Sequence, residues 1–243
     1  MNRPLYAVVL ALFPASALFA GPADYVFLPA VTYGEREIDF KSGTARNSGD
    51  PRMSAASIGF GYGATQRWFT EIYRKYESSG DEGMHFDAWE WENKFQLTEA
   101  GEYPVDAGFI VEIEHPKDRS EGNELHLGPL LQTELGKLQL NANILFERHY
   151  RAESPQRTEL GYQWQVKYRL QPKFEYGFQG FGELGQWNRW DPPDQQTNRM
   201  GPAVFGKVGL GNRQALRYNA AWLFGVSKAA PDHTFRFQAE YEF

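Results

Sequence analysis

The chain has 243 residues, with 25 Lys and Arg against 31 Asp and Glu, so its formal net charge is -6. This charge argues against nucleic acid as a partner, because a polyanion binds a basic surface. Cysteine is absent, which excludes a disulfide framework and a thiol nucleophile. Aromatic residues make up 16% of a chain whose mean hydropathy is -0.58, so apolar and charged side chains must be segregated.

The first predicted element is a signal peptide over residues 1–20. Arg3 supplies a positive start, and the apolar stretch PLYAVVLALFPASALFA follows it. Cleavage is expected after Ala20, with Ala17 as a second site, and an uncleaved membrane anchor is the alternative. No cysteine follows, so a lipoprotein is excluded, and no later apolar run reaches the about 18 residues of a spanning helix.

Residues 21–243 are expected to form a single domain, because apolar and polar residues alternate with strand period almost throughout. Longer polar connections alternate with short turns such as QPK and GNRQA, as in a meander with two different ends. An even number of strands places both termini at the periplasmic end. Twelve strands are predicted, at Val26–Phe40, Ala55–Ala64, Trp68–Tyr76, Phe86–Leu97, Ala107–His115, Glu124–Leu135, Leu138–Tyr150, Glu159–Leu170, Phe174–Leu184, Pro202–Leu210, Leu216–Val226 and His233–Phe243.

The alternation fits either a membrane barrel or a soluble barrel or sandwich with its apolar side inward. About twelve strands enclose too wide a space for apolar side chains to fill, since filling works near eight strands. Aromatic residues also gather near strand ends, as in membrane girdles. They are Trp68, Tyr168 and Tyr241 at the short-turn end and Trp89, Trp91, Tyr162 and Trp222 at the long-loop end. The predicted fold is an all-β, antiparallel, up-and-down transmembrane β-barrel.

The last predicted strand, HTFRFQAEYEF, ends the chain on an aromatic residue. A closed barrel pairs its last strand with its first, so a chain can end inside the sheet. The segment resembles the C-terminal signature of outer-membrane β-barrel proteins of Gram-negative bacteria. That resemblance implies recognition by the outer-membrane assembly machinery, and it falls on Phe235, Phe237, Tyr241 and Phe243.

In strand number and length the chain also looks like small monomeric channels of the oligosaccharide-porin type. It departs from them in its lumen, where those channels carry basic tracks and this chain is rich in Glu. The resemblance implies a monomer surrounded by outer-membrane lipid, but it does not imply a substrate.

Charged residues on the inward face can brace the barrel across strands or line a narrow pore with a weak cation preference. The two roles are compatible. The predicted function is therefore an outer-membrane channel for small hydrophilic solutes or ions, with no cofactor. The residues expected to line the lumen are Glu90, Glu92, Lys94, Glu112, Glu114, Glu134, Lys167, Arg169, Glu175, Glu183, Lys207, Arg217 and Arg236.

All five histidines fall near the long-loop ends of predicted strands. His126 and His149 point inward beside Glu114 and Glu147, and imidazole with carboxylate is a plausible set of transition-metal ligands. A polar rim also tolerates histidine without metal, and that interpretation stays open.

Two other function classes stay open: a lipid-modifying enzyme of the outer membrane, and a non-conducting structural or adhesive barrel. The enzyme would need a nucleophile near a histidine. Ser154 follows His149, but no catalytic motif accompanies it, so an enzyme is not predicted.

Overall fold

The computed structural model describes residues 21–154 and 156–243, so the predicted signal peptide lies outside the described residues. A short 3₁₀ helix, Arg119–Glu121, is the only helical element of these ranges, and none of their residues forms a helix long and apolar enough to cross a membrane. The strands are β1 Arg36–Arg46, β2 Met53–Gly63, β3 Trp68–Ser79, β4 His85–Gln96, β5 Asp106–Pro116, β6 Asn123–Leu135, β7 Leu138–Tyr150, β8 Glu159–Gln171, β9 Phe174–Gln186, β10 Arg189–Trp190, β11 Thr197–Gly211, β12 Gln214–Gly225 and β13 His233–Glu242.

The strands close into a barrel. Every neighbouring pair is antiparallel, β8 pairs with β9, and the first strand pairs with the last from Glu37 opposite Glu242 to Arg46 opposite His233. The two residues of β10 pair only with the last residues of β9, within the loop that follows it, so the barrel itself has twelve strands. Closure removes every free edge. The predicted twelve-stranded antiparallel barrel is confirmed.

Two ends of the barrel can be told apart by their connections. We call one the loop end, where segments 47–52, 80–84, 117–122, 151–158, 187–196 and 226–232 connect the strands. We call the other the turn end, where β1 begins, β13 ends, and the connections 136–137, 172–173 and 212–213 are tight turns.

The first predicted strand, Val26–Phe40, is wrong over residues 26–35. Strand β1 begins only at Arg36, and within residues 21–35 only Gly34 and Glu35 form backbone hydrogen bonds with a strand, at Gly63 of β2. The apolar residues of this segment predict part of a strand, but Val26 and Phe27 are buried because the segment lies inside the barrel. The loop predicted after it is also too long, since β1 continues to Arg46 and β2 starts at Met53. The other predicted strands lie within a few residues of the observed ones.

Large apolar side chains cover the outward face. Ile58 is 50% exposed, Ile72 is 55% exposed and Phe178 is 55% exposed, as expected of a surface that lipid rather than water covers. Aromatic pairs mark both ends of this face. Tyr241 stacks on Phe243 at the turn end, and Trp222 stacks on Phe224 near the loop end.

A charge on this face should be costly. Val166 points outward between Leu140 and Phe178 on the flanking strands, so Val166→Arg should lower the free energy of unfolding by about 2–4 kcal/mol. The adjacent Lys167 points inward, with its Nζ 3.0 Å from Glu175, and Lys167→Ala should cost distinctly less. Urea unfolding in lipid vesicles measures both values. Equal losses at the two positions would contradict the assignment of the faces.

Candidate functional site: a charged lumen and its plug

Residues 21–35, which we call the plug, pass through the lumen of the barrel. The Gly21 carbonyl accepts a hydrogen bond from Arg199 Nη2 at 3.0 Å, near the loop end of β11. The Val31 N–H donates to Gln96 Oε1 at 2.8 Å, at the turn end of β4. The plug therefore runs from the loop-end half of the lumen to its turn end, where it enters β1.

Side chains of the wall hold the backbone of the plug. The Phe27 N–H donates to Gln163 Oε1 at 3.3 Å, and the Phe27 carbonyl accepts from Asn143 Nδ2 at 3.1 Å. These contacts satisfy buried backbone groups that would otherwise each cost about 1–3 kcal/mol. Because residues 21–33 of the plug form no backbone hydrogen bond with a strand, they are separable from the ladder that closes the barrel.

Two apolar side chains of the plug pack against apolar residues that the wall turns inward. Burying an aliphatic or aromatic side chain of this size contributes about 1.5–3 kcal/mol. These residues give the plug its main apolar contacts with the wall. Val26 lies in a cluster with Phe181, Ala203, Phe205, Ala221 and Leu223, and Phe27 packs with Ile110, Leu130, Tyr25 and Leu145.

Two glycines of the wall, Gly43 and Gly108, allow the plug to approach the wall closely. A Cβ atom on Gly43 would lie 1.9 Å from the carbonyl oxygen of Pro22. A Cβ atom on Gly108 would lie 2.8 Å from Cβ of Pro29. Neither glycine has a positive φ, so it is the missing side chain, and the close approach it permits, that matters at these positions.

A lysine links the plug to the wall in the middle of the lumen. Lys41 Nζ lies 3.6 Å from the ring centroid of Tyr25 and 3.5 Å from that of Tyr73, which is a cation–π contact on both sides. The same ammonium is 3.7 Å from Asp39 Oδ2. The Tyr25 hydroxyl donates to Glu92 Oε2 at 2.5 Å, so one tyrosine of the plug meets both a cation and a carboxylate of the wall.

Arg236 is 2% exposed and holds the plug from β13, the strand that pairs with β1. Its guanidinium donates to the Asp24 carbonyl of the plug, to Asn219 Oδ1 and, at 3.2 Å, to Gln179 Oε1. The group also lies 5.5 Å from the ring centroid of Phe181. This side chain was predicted to line the lumen, and the structure places it against the plug.

The other residues predicted to line the lumen fall into two zones. At the turn end they form ion pairs across strands: Glu134 with Arg169, Lys167 with Glu175, Lys207 with Glu242, and Arg217 with Glu240 and Glu242. Elsewhere on the inward face, Lys75 pairs with Glu90 and Glu114, Glu92 meets the plug, Glu112 lies 3.4 Å from His126 Nδ1, Lys94 lies over the Phe69 ring, and Glu183 accepts from Thr197.

Sequence reasoning missed several residues that contact the plug. Lys41 fell in a predicted loop, and Arg199 preceded the strand predicted at Pro202. Extending the inward parity of β1 from Glu37 through Asp39 would have found Lys41. The inward apolar residues Phe181 and Leu223 carried no such signal, because a water-filled lumen does not call for them.

A cluster of histidine and glutamate lies inside the barrel near the loop end. His126 Nε2 is 2.5 Å from Glu124 Oε1 and 3.1 Å from Glu147 Oε2. His149 Nε2 is 3.1 Å from Glu124 Oε2 and 3.6 Å from Glu147 Oε1. The structure thus brings together three of the four residues predicted for a rim site. Glu114 pairs with Lys75 instead, and Glu124 takes its place.

The structure does not bring Ser154 to His149. The Ser154 hydroxyl accepts from Gln156 Nε2 at 3.1 Å. Both ring nitrogens of His149 have other neighbours, the Glu121 carbonyl at 3.0 Å and the carboxylates of the cluster. This arrangement gives no nucleophile and base pair.

No protein-family model matches the sequence, and no curated protein matches it. Several solved structures share its architecture. An outer-membrane channel from Pseudomonas putida F1 aligns with a TM-score of 0.58 at 15% identity, over 90% of this chain and 98% of that one. The NanC porin aligns with a TM-score of 0.56 at 9% identity, over 85% of this chain and 98% of that one.

The translocator domain of the autotransporter NalP from Neisseria meningitidis aligns with a TM-score of 0.50 at 15% identity, over 89% of this chain and 91% of that one. At these identities the likeness concerns the fold. The chain has the architecture of bacterial outer-membrane barrel proteins, a closed antiparallel barrel of twelve strands.

Proposed function

We propose that this protein is an outer-membrane channel for small hydrophilic solutes or ions, closed by its N-terminal plug in the conformation described here. The observation that carries the proposal is a polar, charged wall around residues 21–33, which form no backbone hydrogen bond with a strand. Such a segment can leave without breaking the closed ladder of hydrogen bonds. The fold that the chain shares with a channel and a porin supports the same function.

An open lumen would prefer cations. Plug removal uncovers the side chains that now hold the plug, which include two cations as well as a carboxylate and amides. They are Lys41, Arg236, Glu92, Gln96, Asn143 and Gln163. Buried carboxylates at Glu71, Glu90 and Glu112 face the same space. Carboxylates that line a pore attract cations and repel anions.

The plug should remain in place most of the time. Two buried apolar side chains at about 1.5–3 kcal/mol each hold it, and hydrogen bonds add about 0.5–1.5 kcal/mol each. Opening therefore needs a trigger or is rare. We further propose export by the signal peptide at residues 1–20 and insertion as a monomer.

Ion selectivity tests this function. In a planar bilayer with a KCl gradient, the reversal potential of the current through the protein should have the sign expected of a K⁺-selective pore. The double variant Glu90→Gln, Glu92→Gln should move that potential toward zero, because it removes two lumen charges. An anion-selective current would contradict the proposal.

A non-conducting structural barrel is the second candidate function, since the plug fills the lumen. It predicts no current even from protein refolded without residues 21–31. An enzyme is not proposed, because the candidate nucleophile Ser154 hydrogen-bonds with Gln156, and both ring nitrogens of His149 have other neighbours.

A further inference from the structure

We propose that His126, His149, Glu124 and Glu147 bind one divalent transition-metal ion inside the barrel near the loop end. The proposal goes beyond the channel function and does not depend on conduction. It concerns residues that the plug does not need for its backbone contacts.

The strand register fixes the four residues as a square. Glu124 lies directly opposite His149 on the paired strands β6 and β7, and His126 lies directly opposite Glu147. All four side chains point inward, so each imidazole has one carboxylate across from it and another beside it. Because the backbone ladder sets these positions, the square is built before any ion arrives.

The facing atoms are spaced as metal ligands are. Four Nε2 to carboxylate-oxygen distances measure 2.5, 3.1, 3.1 and 3.6 Å. Ligand atoms about 2.0–2.1 Å from a tetrahedral Zn²⁺ lie about 3.3 Å from one another. The two histidines face different oxygens of each carboxylate. One ligand atom each from Glu124, His126 and Glu147 already lies within 4.8 Å of the others, and side-chain rotation brings His149 Nε2 to the same centre.

The second nitrogen of each ring already has an acceptor. His149 Nδ1 lies 3.0 Å from the Glu121 carbonyl oxygen, which can only accept, so Nδ1 carries a proton. His126 Nδ1 lies 3.4 Å from Glu112 Oε2 in the same sense. In a neutral ring with the proton on Nδ1, the Nε2 atom carries the lone pair that can bind a metal ion. A ligating histidine in proteins almost always has this outer partner on its other nitrogen.

Burial makes the square unfavourable when both imidazoles are neutral and no cation is bound. His149 is 6% exposed, and the Nε2 atoms of both histidines are buried without a hydrogen-bond partner. A lone pair that faces carboxylate oxygens is repelled by them. Glu112, Glu124 and Glu147 form no ion pair with Lys or Arg within residues 21–154 and 156–243, because the nearby Lys75 is taken by Glu90 and Glu114.

The ligand types select the metal. Imidazole suits Zn²⁺, Cu²⁺ and Ni²⁺, whereas Ca²⁺ and Mg²⁺ prefer sites made only of oxygen. A site of two imidazoles and two carboxylates therefore favours Zn²⁺ strongly over Ca²⁺. Two protonated histidines would satisfy the same carboxylates without metal, and the experiment must separate the two cases.

Equilibrium dialysis against Zn²⁺ alone, after treatment with a chelator, should find one ion per folded barrel in detergent. His126→Ala and His149→Ala should each weaken Zn²⁺ binding by about 100-fold or more, and Glu112→Gln should weaken it by about 10–100-fold as the loss of an outer partner. His85→Ala is the matched control, because His85 lies 3.6 Å from Glu77 in an exposed pair and should leave binding unchanged.

Thermal unfolding guards against variants that misfold. Zn²⁺ should raise the melting temperature of the intact protein and of His85→Ala by linkage, and should leave that of His149→Ala unchanged. Ca²⁺ should shift none of them. No Zn²⁺ binding by the intact barrel, or Zn²⁺ binding by both histidine variants as tight as that of the intact barrel, would overturn the proposal and leave two protonated histidines in its place.

Discussion

Protein refolded without residues 21–31 should form a barrel whose conductance exceeds that of the intact protein by on the order of tenfold or more, because a filled lumen becomes a water-filled one. The deletion leaves the ladder whole, since β1 begins at Arg36. It also keeps the turn into β1, where the Gly34 N–H donates to the Gly63 carbonyl at 2.8 Å. Single-channel recording in a planar bilayer measures the effect.

One side chain should imitate the deletion. Gly43→Val places atoms where the Pro22 carbonyl now lies, since even its Cβ would be 1.9 Å from that oxygen. The plug must move, and conductance should rise. Gly209→Val is the matched control, because a Cβ there meets nothing within 4 Å. Equal conductance for the deletion, Gly43→Val and the intact protein would mean that the plug does not limit the current.

Phe243→Asp should sharply reduce the amount of the protein in the outer membrane and leave it to periplasmic proteases. Phe243 lies at the turn end, with its N–H donating to the Arg36 carbonyl at 2.9 Å and its ring stacked on Tyr241. Its burial in lipid is worth about 1–3 kcal/mol, which a closed barrel can lose and still fold. We therefore expect the main effect in cells, through the assembly machinery.

A contrast between two measurements separates folding from assembly. Deletion of Phe243 should leave the refolding yield in detergent nearly intact, whereas cellular abundance should fall; Phe243→Tyr should be mild in both. Outer-membrane fractionation gives the abundance, and the different gel mobility of heated and unheated barrel gives the yield. Unchanged abundance after the deletion would remove the role of Phe243 as part of an assembly signal.

Strands with two different faces could be predicted from the sequence. In β7, Leu140, Ala142 and Ile144 alternate with Gln139, Asn141 and Asn143, and the observed strand has the predicted bounds. One face meets lipid and the other a polar interior, so period two is forced by the surroundings. The tight turns at 136–137 and 172–173 made the strand order predictable as well, because strands joined by two residues must be antiparallel neighbours.

The plug could not be predicted in this way. Val26 and Phe27 are buried like strand residues, but most of their partners lie far along the chain, on β5, β6, β7, β9, β11 and β12. Pro29, which breaks a strand ladder because it has no N–H, was the one local warning. The close approach of the plug to Gly43 and Gly108 could not be predicted from the sequence either, because a glycine can occur in a strand for several different reasons.

The histidine cluster was half predictable. Parity on β6 and β7 placed His126, His149 and Glu147 on the inward face, and the structure keeps them together. Choosing Glu124 over Glu114 required the register of β6 against β7 and the position of Lys75. That lysine lies on β3 and reaches Glu114 across β4, a distance that no local pattern encodes.

The position of the plug in the lumen is tested most directly by a disulfide between plug and wall. The chain has no cysteine, so Pro29→Cys with Gly108→Cys introduces the only pair. A Cβ on Gly108 would lie 2.8 Å from that of Pro29, and a small outward movement reaches the about 3.8 Å of a disulfide. Pro29→Cys with Gly209→Cys is the control, with its second thiol away from the plug.

In mild oxidant, the folded Pro29→Cys, Gly108→Cys protein should form the internal disulfide nearly completely, and the control pair should not. The oxidised barrel should stay silent in the bilayer, and a reductant should restore the current of the unlinked protein. Two free thiols that react with a water-soluble maleimide in the folded Pro29→Cys, Gly108→Cys barrel would contradict the account, because residues 21–35 would then lie outside the lumen.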